Sequence, residues 1–264
     1  MDKLLLFFLF AAVLLLLLFL FLRKNKKENP FADLPDNYIK LLKENVAFYN
    51  KLSEPARIRF EQRVEHFLST IRITGVNTTV EDLDRVLIGA SAVIPIFGFP
   101  DWEYINLHEV LLYPETFNEA FEQSGNNRPV MGMVGNGPMN HIMILSKNAL
   151  REGFQNKTDK DNMAVHEFVH LLDKTVGDTD GIPEVLLQHQ YVLPWVNMIH
   201  KNIKEIINNN SDINPYGATN QAEFFAVVSE YFFERPDLLQ RKHPELYGML
   251  EKIFKQGNDI HEME

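Results

Sequence analysis

Residues 163–172 read Met-Ala-Val-His-Glu-Phe-Val-His-Leu-Leu. His166 and His170 stand four residues apart, one helical turn on one face. Two imidazoles so placed can converge on one ion at about 2.0–2.1 Å each. Glu167 sits beside the first histidine, where it reaches a water on the ion without ligating it. That is the position of a general base. The apolar residues around the pair fit a buried amphipathic helix, and Asp159 and Asp161 sit near its start.

A catalytic zinc usually takes three protein ligands and keeps a position for water. Gly177 lies near the helix end, but no third histidine follows in register. A carboxylate from a later helix is therefore expected, and Glu223 in Gln221-Ala222-Glu223-Phe224-Phe225-Ala226 is the best candidate. An acidic residue complementing the helix N-terminus is the competing reading. Glu230 follows seven residues on and lies on the same face. It either orients a ligand histidine or faces solvent. Tyr216, in Asn214-Pro215-Tyr216-Gly217, reads locally as a turn residue.

Outward from the motif, helices are expected at about 159–174, 184–207, 220–233 and 243–255. Upstream, apolar residues recur at helical spacing over 36–52. Ser53-Glu54-Pro55 marks the start of a helix to Thr70, with Ile58, Phe60, Val64, Phe67, Leu68 and Ile71 towards the core. Thr79 is the expected cap of a third helix through Ile94, with Gly89, Ala90 and Ala92 suggesting close helix contact. Residues 108–113 and 141–146 read as short strands, and 123–138, rich in Gly, Asn and Pro, as loop. The fold class is α+β, mostly helical, with a small sheet ahead of the metal helix.

Every residue from Leu4 to Leu22 is apolar. Such a run spans about 28 Å as a helix, enough for a hydrocarbon core. It exceeds the usual core of a signal peptide, and no small-residue cleavage site follows. Arg23, Lys24, Lys26 and Lys27 come instead, against Lys3 alone on the other side. The expected organisation is an N-terminal transmembrane helix and linker over 1–35, then a catalytic domain over 36–264 on the cytoplasmic side. The chain has no cysteine, which excludes disulfides, thiolate ligands and a thiol nucleophile. A net charge of −10 with scattered basic residues gives no nucleic-acid footprint.

The runs HEFVHLLDKTVGDTDGIP (166–183) and QAEFFAVVSEYFFERP (221–236) resemble the Mlc titration factor A family of zinc-dependent peptidases. The upstream runs 41–68, 86–98, 108–117 and 143–150 fit the same layout, so the resemblance covers about 36–250. The catalytic region is also similar to that of anthrax lethal factor, with its Tyr-Gly segment ahead of a Glu-Phe-Phe-Ala helix. The resemblance implies one zinc ion on His166, His170 and Glu223, Glu167 as base and Tyr216 as oxyanion donor. It implies a gluzincin-like domain whose sheet edge receives an extended peptide or protein substrate, with His141–Ser146 as the expected edge strand. The family's namesake binds a transcriptional repressor of sugar uptake. A membrane-tethered protein that sequesters a transcriptional regulator, with weak or incidental hydrolysis, is thus the rival reading.

Overall fold

A computed structural model describes residues 34–118, 120–123, 128–135, 137–156, 160–175, 179–183 and 186–255. The apolar run 4–22, most of the linker, Asp159 and Gly177 lie outside the described residues. Among those described, no helix is long and apolar enough to cross a membrane.

The fold is mostly helical with one four-stranded mixed sheet. Helices α1 (Tyr38–Asn45) and α2 (Ala47–Lys51) replace the single helix expected over 36–52, because Val46 takes an extended conformation between them. Helix α3 (Glu54–Thr70) begins after Ser53 with Pro55 in its first turn. Ile58 is not part of the core; it is 51% exposed, while Phe60, Val64, Phe67, Leu68 and Ile71 are buried.

Helix α4 (Asp82–Ile96) starts two residues later than Thr79 would place it. Glu81 and Asp84 form a reciprocal capping box there, satisfying two backbone N–H groups at once. Thr79 instead gives its carbonyl to Lys147 Nζ at 2.8 Å. Helix α4 is apolar nearly all round and runs through the interior. Gly89 lets α3 approach it closely, since a Cβ there would lie 3.0 Å from Val64 Cγ1.

The sheet is built from β1 (Arg72–Gly75), β2 (Glu109–Tyr113), β3 (Gly132–Val134) and β4 (Ile142–Ser146), in the order β1-β2-β4-β3. The first three in that order are parallel; β3 runs antiparallel on β4, pairing Met133 with Ile144. This corrects two expectations. The segment 123–138 is not loop throughout, because it contains β3. The run 141–146 is not an edge: β4 is paired on both sides, and the edges are β1 and β3, of which β3 faces Met163 and Glu167 through Gly132.

Helix α5 (Lys147–Gln155) leads from the sheet towards α6 (Met163–Asp173), the helix of the histidine pair. Then come α7 (Val192–Ile207), α8 (Gln221–Glu234), α9 (Pro236–Lys242) and α10 (Pro244–Phe254). The expected helix over 243–255 is thus preceded by a separate short one. Phe168 of α6, Phe224 and Phe225 of α8 and Trp195 of α7 are fully buried together with Phe60 and Phe254 in one core. That core fixes α6 against α8, which is what brings their polar faces together.

Asp212 ties the chain ahead of α8 to the rest. Its carboxylate accepts from Lys160 Nζ at 2.6 Å, Tyr231 Oη at 2.9 Å and Lys242 Nζ at 3.0 Å, and pairs with His243 Nε2 at 2.7 Å. Burial alone would raise its pKa, but Lys160, His243, Lys242 and Tyr231 outweigh that and hold it well below the usual carboxylate range. A carboxylate with a depressed folded pKa stabilises the fold above its unfolded value of about 3.9. That contribution is lost as pH falls towards the folded pKa. Asp212→Ala is expected to cost about 1–3 kcal/mol at pH 7. Urea melts should show the gap to wild type narrowing as pH is taken below about 4.

Candidate metal centre

The N-terminus of α6 is capped by Asn162, whose Oδ1 accepts the Val165 N–H at 3.2 Å. Asn220 caps α8 in the same way, accepting the Glu223 N–H at 2.9 Å. Each cap fixes where the first functional side chain of its helix leaves the backbone.

Three side chains converge between the two helices. His166 Nε2 lies 3.0 Å from His170 Nε2 and 3.0 Å from Glu223 Oε2, and His170 Nε2 is 3.4 Å from that same oxygen. Among the described residues, this is the group of three potential ligands that could hold a metal ion. Ligand atoms arranged tetrahedrally at zinc distances stand about 3.3 Å apart.

The donor chemistry fits a cation. Glu230 Oε1 faces His166 Nδ1 at 2.7 Å, so Nδ1 donates there and the Nε2 lone pair is left facing Glu223. Two acceptors in contact need a proton or a metal ion between them. Burial alone would lower the His166 pKa, yet Glu230 and Glu223 outweigh it and push it up to about 10. Burial likewise opposes ionisation of Glu223, but His166 and His170 hold its carboxyl well below the usual range.

Glu230 resolves an open alternative: it is buried, not solvated. Its second oxygen accepts the Asn162 N–H at 2.5 Å, and Asn162 Nδ2 donates to Glu234 Oε1 at 2.8 Å. One carboxylate therefore orients a histidine and anchors the cap of the helix that carries it.

Glu167 is buried. Burial raises its pKa against the opposing pull of His166 and His170, with Glu223 and Glu230 adding to the rise. The edge strand passes directly over it. A Cβ on Gly132 would stand 2.4 Å from Met163 Sδ, 2.7 Å from Glu167 Cγ and 2.9 Å from its Oε1, so any larger residue there would push the Met163 and Glu167 side chains aside. Tyr216 lies in a 3-10 turn, Pro215–Ala218, with its ring centroid 6.1 Å from that of His166. Its phenol pKa is raised, first by burial and then by Glu223 and Glu167, so at neutral pH it is an O–H donor.

Sequence reasoning missed Gly132 and the buried Asp173. Asp173 Oδ2 accepts the Gly181 N–H at 2.7 Å, and the Gly181 carbonyl accepts from Trp195 Nε1 at 2.7 Å. Gly181, at φ +78°, packs on the Gln221–Ala222 backbone. This chain of contacts registers the start of α8 on the end of α6. The Asp173 signal was present in the sequence, as an acidic residue on the apolar face of the metal helix.

A mostly helical fold thus brings two histidines and a carboxylate, which could hold a metal ion, together beside a buried acid. The chain belongs to the glucose-regulated metallo-peptidase M90 family, whose model matches residues 21–255. It is 29% identical over 236 residues to the uncharacterized protein slr2042 of Synechocystis sp., covering 84% of each chain. It is 30% identical over 227 residues to Mlc titration factor A of Escherichia fergusonii, covering 80% of this chain and 83% of that one. To Mlc titration factor A of Pectobacterium atrosepticum it is 28% identical over 220 residues, covering 78% and 81%.

Proposed function

We propose that this chain is a membrane-anchored zinc peptidase that hydrolyses peptide bonds with Glu167 as general base. The observation that carries the reading is a buried carboxylate, raised in pKa, on the helix turn that presents His166 and His170 to Glu223. Those three side chains would hold one zinc ion. When bound, zinc lowers the pKa of the attacking water towards about 7 and polarises the scissile carbonyl.

The protein residues do the rest. Glu167 takes the proton of the attacking water and delivers it to the leaving amine. Tyr216 donates to the oxyanion of the tetrahedral species. Glu230 keeps His166 in the tautomer whose Nε2 is free to ligate. An extended peptide pairs with β3, the free edge beside Glu167, rather than with the interior strand β4. Two histidines on α6 and a glutamate on α8 make the arrangement gluzincin-like. The metal-loaded protein is expected to cut extended peptides into fragments identifiable by mass spectrometry. No cleavage at saturating zinc would leave the rival reading, a tethered protein that sequesters a transcriptional regulator. The name Mlc titration factor A, carried by relatives, is compatible with that rival.

The anchor is residues 4–22, uncharged and long enough to span a bilayer, with the domain over 36–264 on the cytoplasmic side of the basic cluster at 23–27. Full-length protein is expected to stay in the membrane pellet through salt and carbonate washes. Protease added to intact cells should spare the domain. Release by carbonate would exclude a spanning helix, and digestion from outside would reverse the orientation.

A further inference from the structure

The cleft does not end at the histidines; it continues to both sides of them as two cavities of unlike chemistry. On the Val134 side of β3 is a space of about 550 Å³ whose walls include Lys174, Thr179, Asp180 and Asn220. On the Met131 side is a larger one of about 680 Å³. Its walls combine the apolar Val130, Met131, Met163, Ala149 and Val227 with the polar His166, Asn214 and Tyr216, and the exposed Glu152 and Asp161 are among its lining residues. Its other carboxylates are Glu167 and Glu230, and no Lys or Arg is among its described lining residues.

Strand polarity assigns each cavity a side of the substrate. β3 runs from Gly132 to Val134. A peptide pairing antiparallel to it, the better-bonded polarity, enters at the Val134 end and leaves at the Met131 end. With the scissile bond at Glu167, beside Gly132, the Met131-side cavity receives the residue that carries the leaving amine.

We infer that this cavity selects a lysine or arginine immediately C-terminal to the cleaved bond. The inference rests on the peptidase reading above and names its substrate class. A cavity that offers apolar side chains to a methylene stem and the exposed carboxylates of Glu152 and Asp161 to a cationic head matches a long basic side chain. Among the described residues no cation pairs with Glu152 or Asp161; the partner of Asp161 is the neutral Asn214 amide, at 3.1 Å. The neighbouring cations are engaged elsewhere, Arg151 with Glu81 and Asp84 and Lys160 with Asp212.

The test uses zinc-loaded full-length protein and peptides differing only at that position: Lys, Arg, norleucine or Glu. Norleucine has the lysine stem without its charge. Lys and Arg are expected to exceed norleucine by roughly tenfold in kcat/KM, and Glu by more, as two solvent-facing carboxylates allow. In the Glu152→Gln, Asp161→Asn double variant the Lys-to-norleucine ratio should fall towards one. The same peptides are titrated by fluorescence anisotropy onto Glu167→Gln, which reads binding apart from chemistry. Cleavage with norleucine equal to or above lysine overturns the assignment and leaves the peptidase reading standing. Lysine-selective binding without cleavage by wild type supports the cavity and sinks the peptidase reading. Neither binding nor cleavage overturns both.

Discussion

Glu167→Gln should bind zinc as wild type does and cleave peptide about 10²–10⁴-fold more slowly, the range of a lost general base. Glutamine keeps the shape of the side chain, which matters because Gly132 leaves no spare room above it. The substitution removes a buried, proton-accepting group that lies outside the converging His-His-Glu set and, unlike Glu230, is not held behind His166 on Nδ1. It also removes a carboxylate whose burial outweighs the favourable pull of His166 and His170, so the fold should be no less stable. Steady-state turnover, with bound zinc measured on the same sample, checks both halves. Normal turnover in this variant would end the general-base role of Glu167.

Glu223→Ala has the complementary signature. Its carboxylate oxygen is within 3.0 Å of His166 Nε2 and 3.4 Å of His170 Nε2, so its removal leaves two imidazoles and no anionic ligand. Zinc affinity should fall by at least the 10–100-fold that loss of a supporting partner alone costs, and turnover should fall with it. The fold should survive, since Glu223 sits in the first turn of α8 and Asn220 still caps that helix. Equilibrium dialysis with zinc reads the affinity. Affinity unchanged from wild type would place the third ligand elsewhere. Glu230 is then the residue to test, although its position behind His166, on Nδ1, argues for an orienting role.

Much of this site was legible because its logic is local. Spacing of four residues on a helix is a short-range fact, and it placed His166, Glu167 and His170 together. Glu223 stood out because a carboxylate heads an otherwise apolar helix. Glu230 could be put on the same face as Glu223, but a face alone does not say whether it looks inward. The packing of α6 on α8 decides that, through contacts more than sixty residues apart.

The sheet was read less well, for a similar reason. Gly132-Met133-Val134 is too short and too glycine-rich a run to announce a strand. It becomes one by pairing with β4. Which strand is the edge is a property of the order β1-β2-β4-β3, and strand order does not appear in a local pattern. Thr79 looked like a cap because its residue type favours caps. The reciprocal Glu81–Asp84 box displaced it by satisfying two donors where a threonine hydroxyl satisfies one. Likewise Ile58 fitted the helical period but faces outward.

The central claim is that His166, His170 and Glu223 hold one catalytic zinc ion. The most direct measurement is a zinc titration of metal-free full-length protein, following bound metal and peptide hydrolysis in the same samples. The expected result is one ion per chain, with no hydrolysis at zero zinc and turnover rising in proportion to occupancy. Full hydrolysis by the metal-free protein, or saturation with zinc without any hydrolysis, would contradict it.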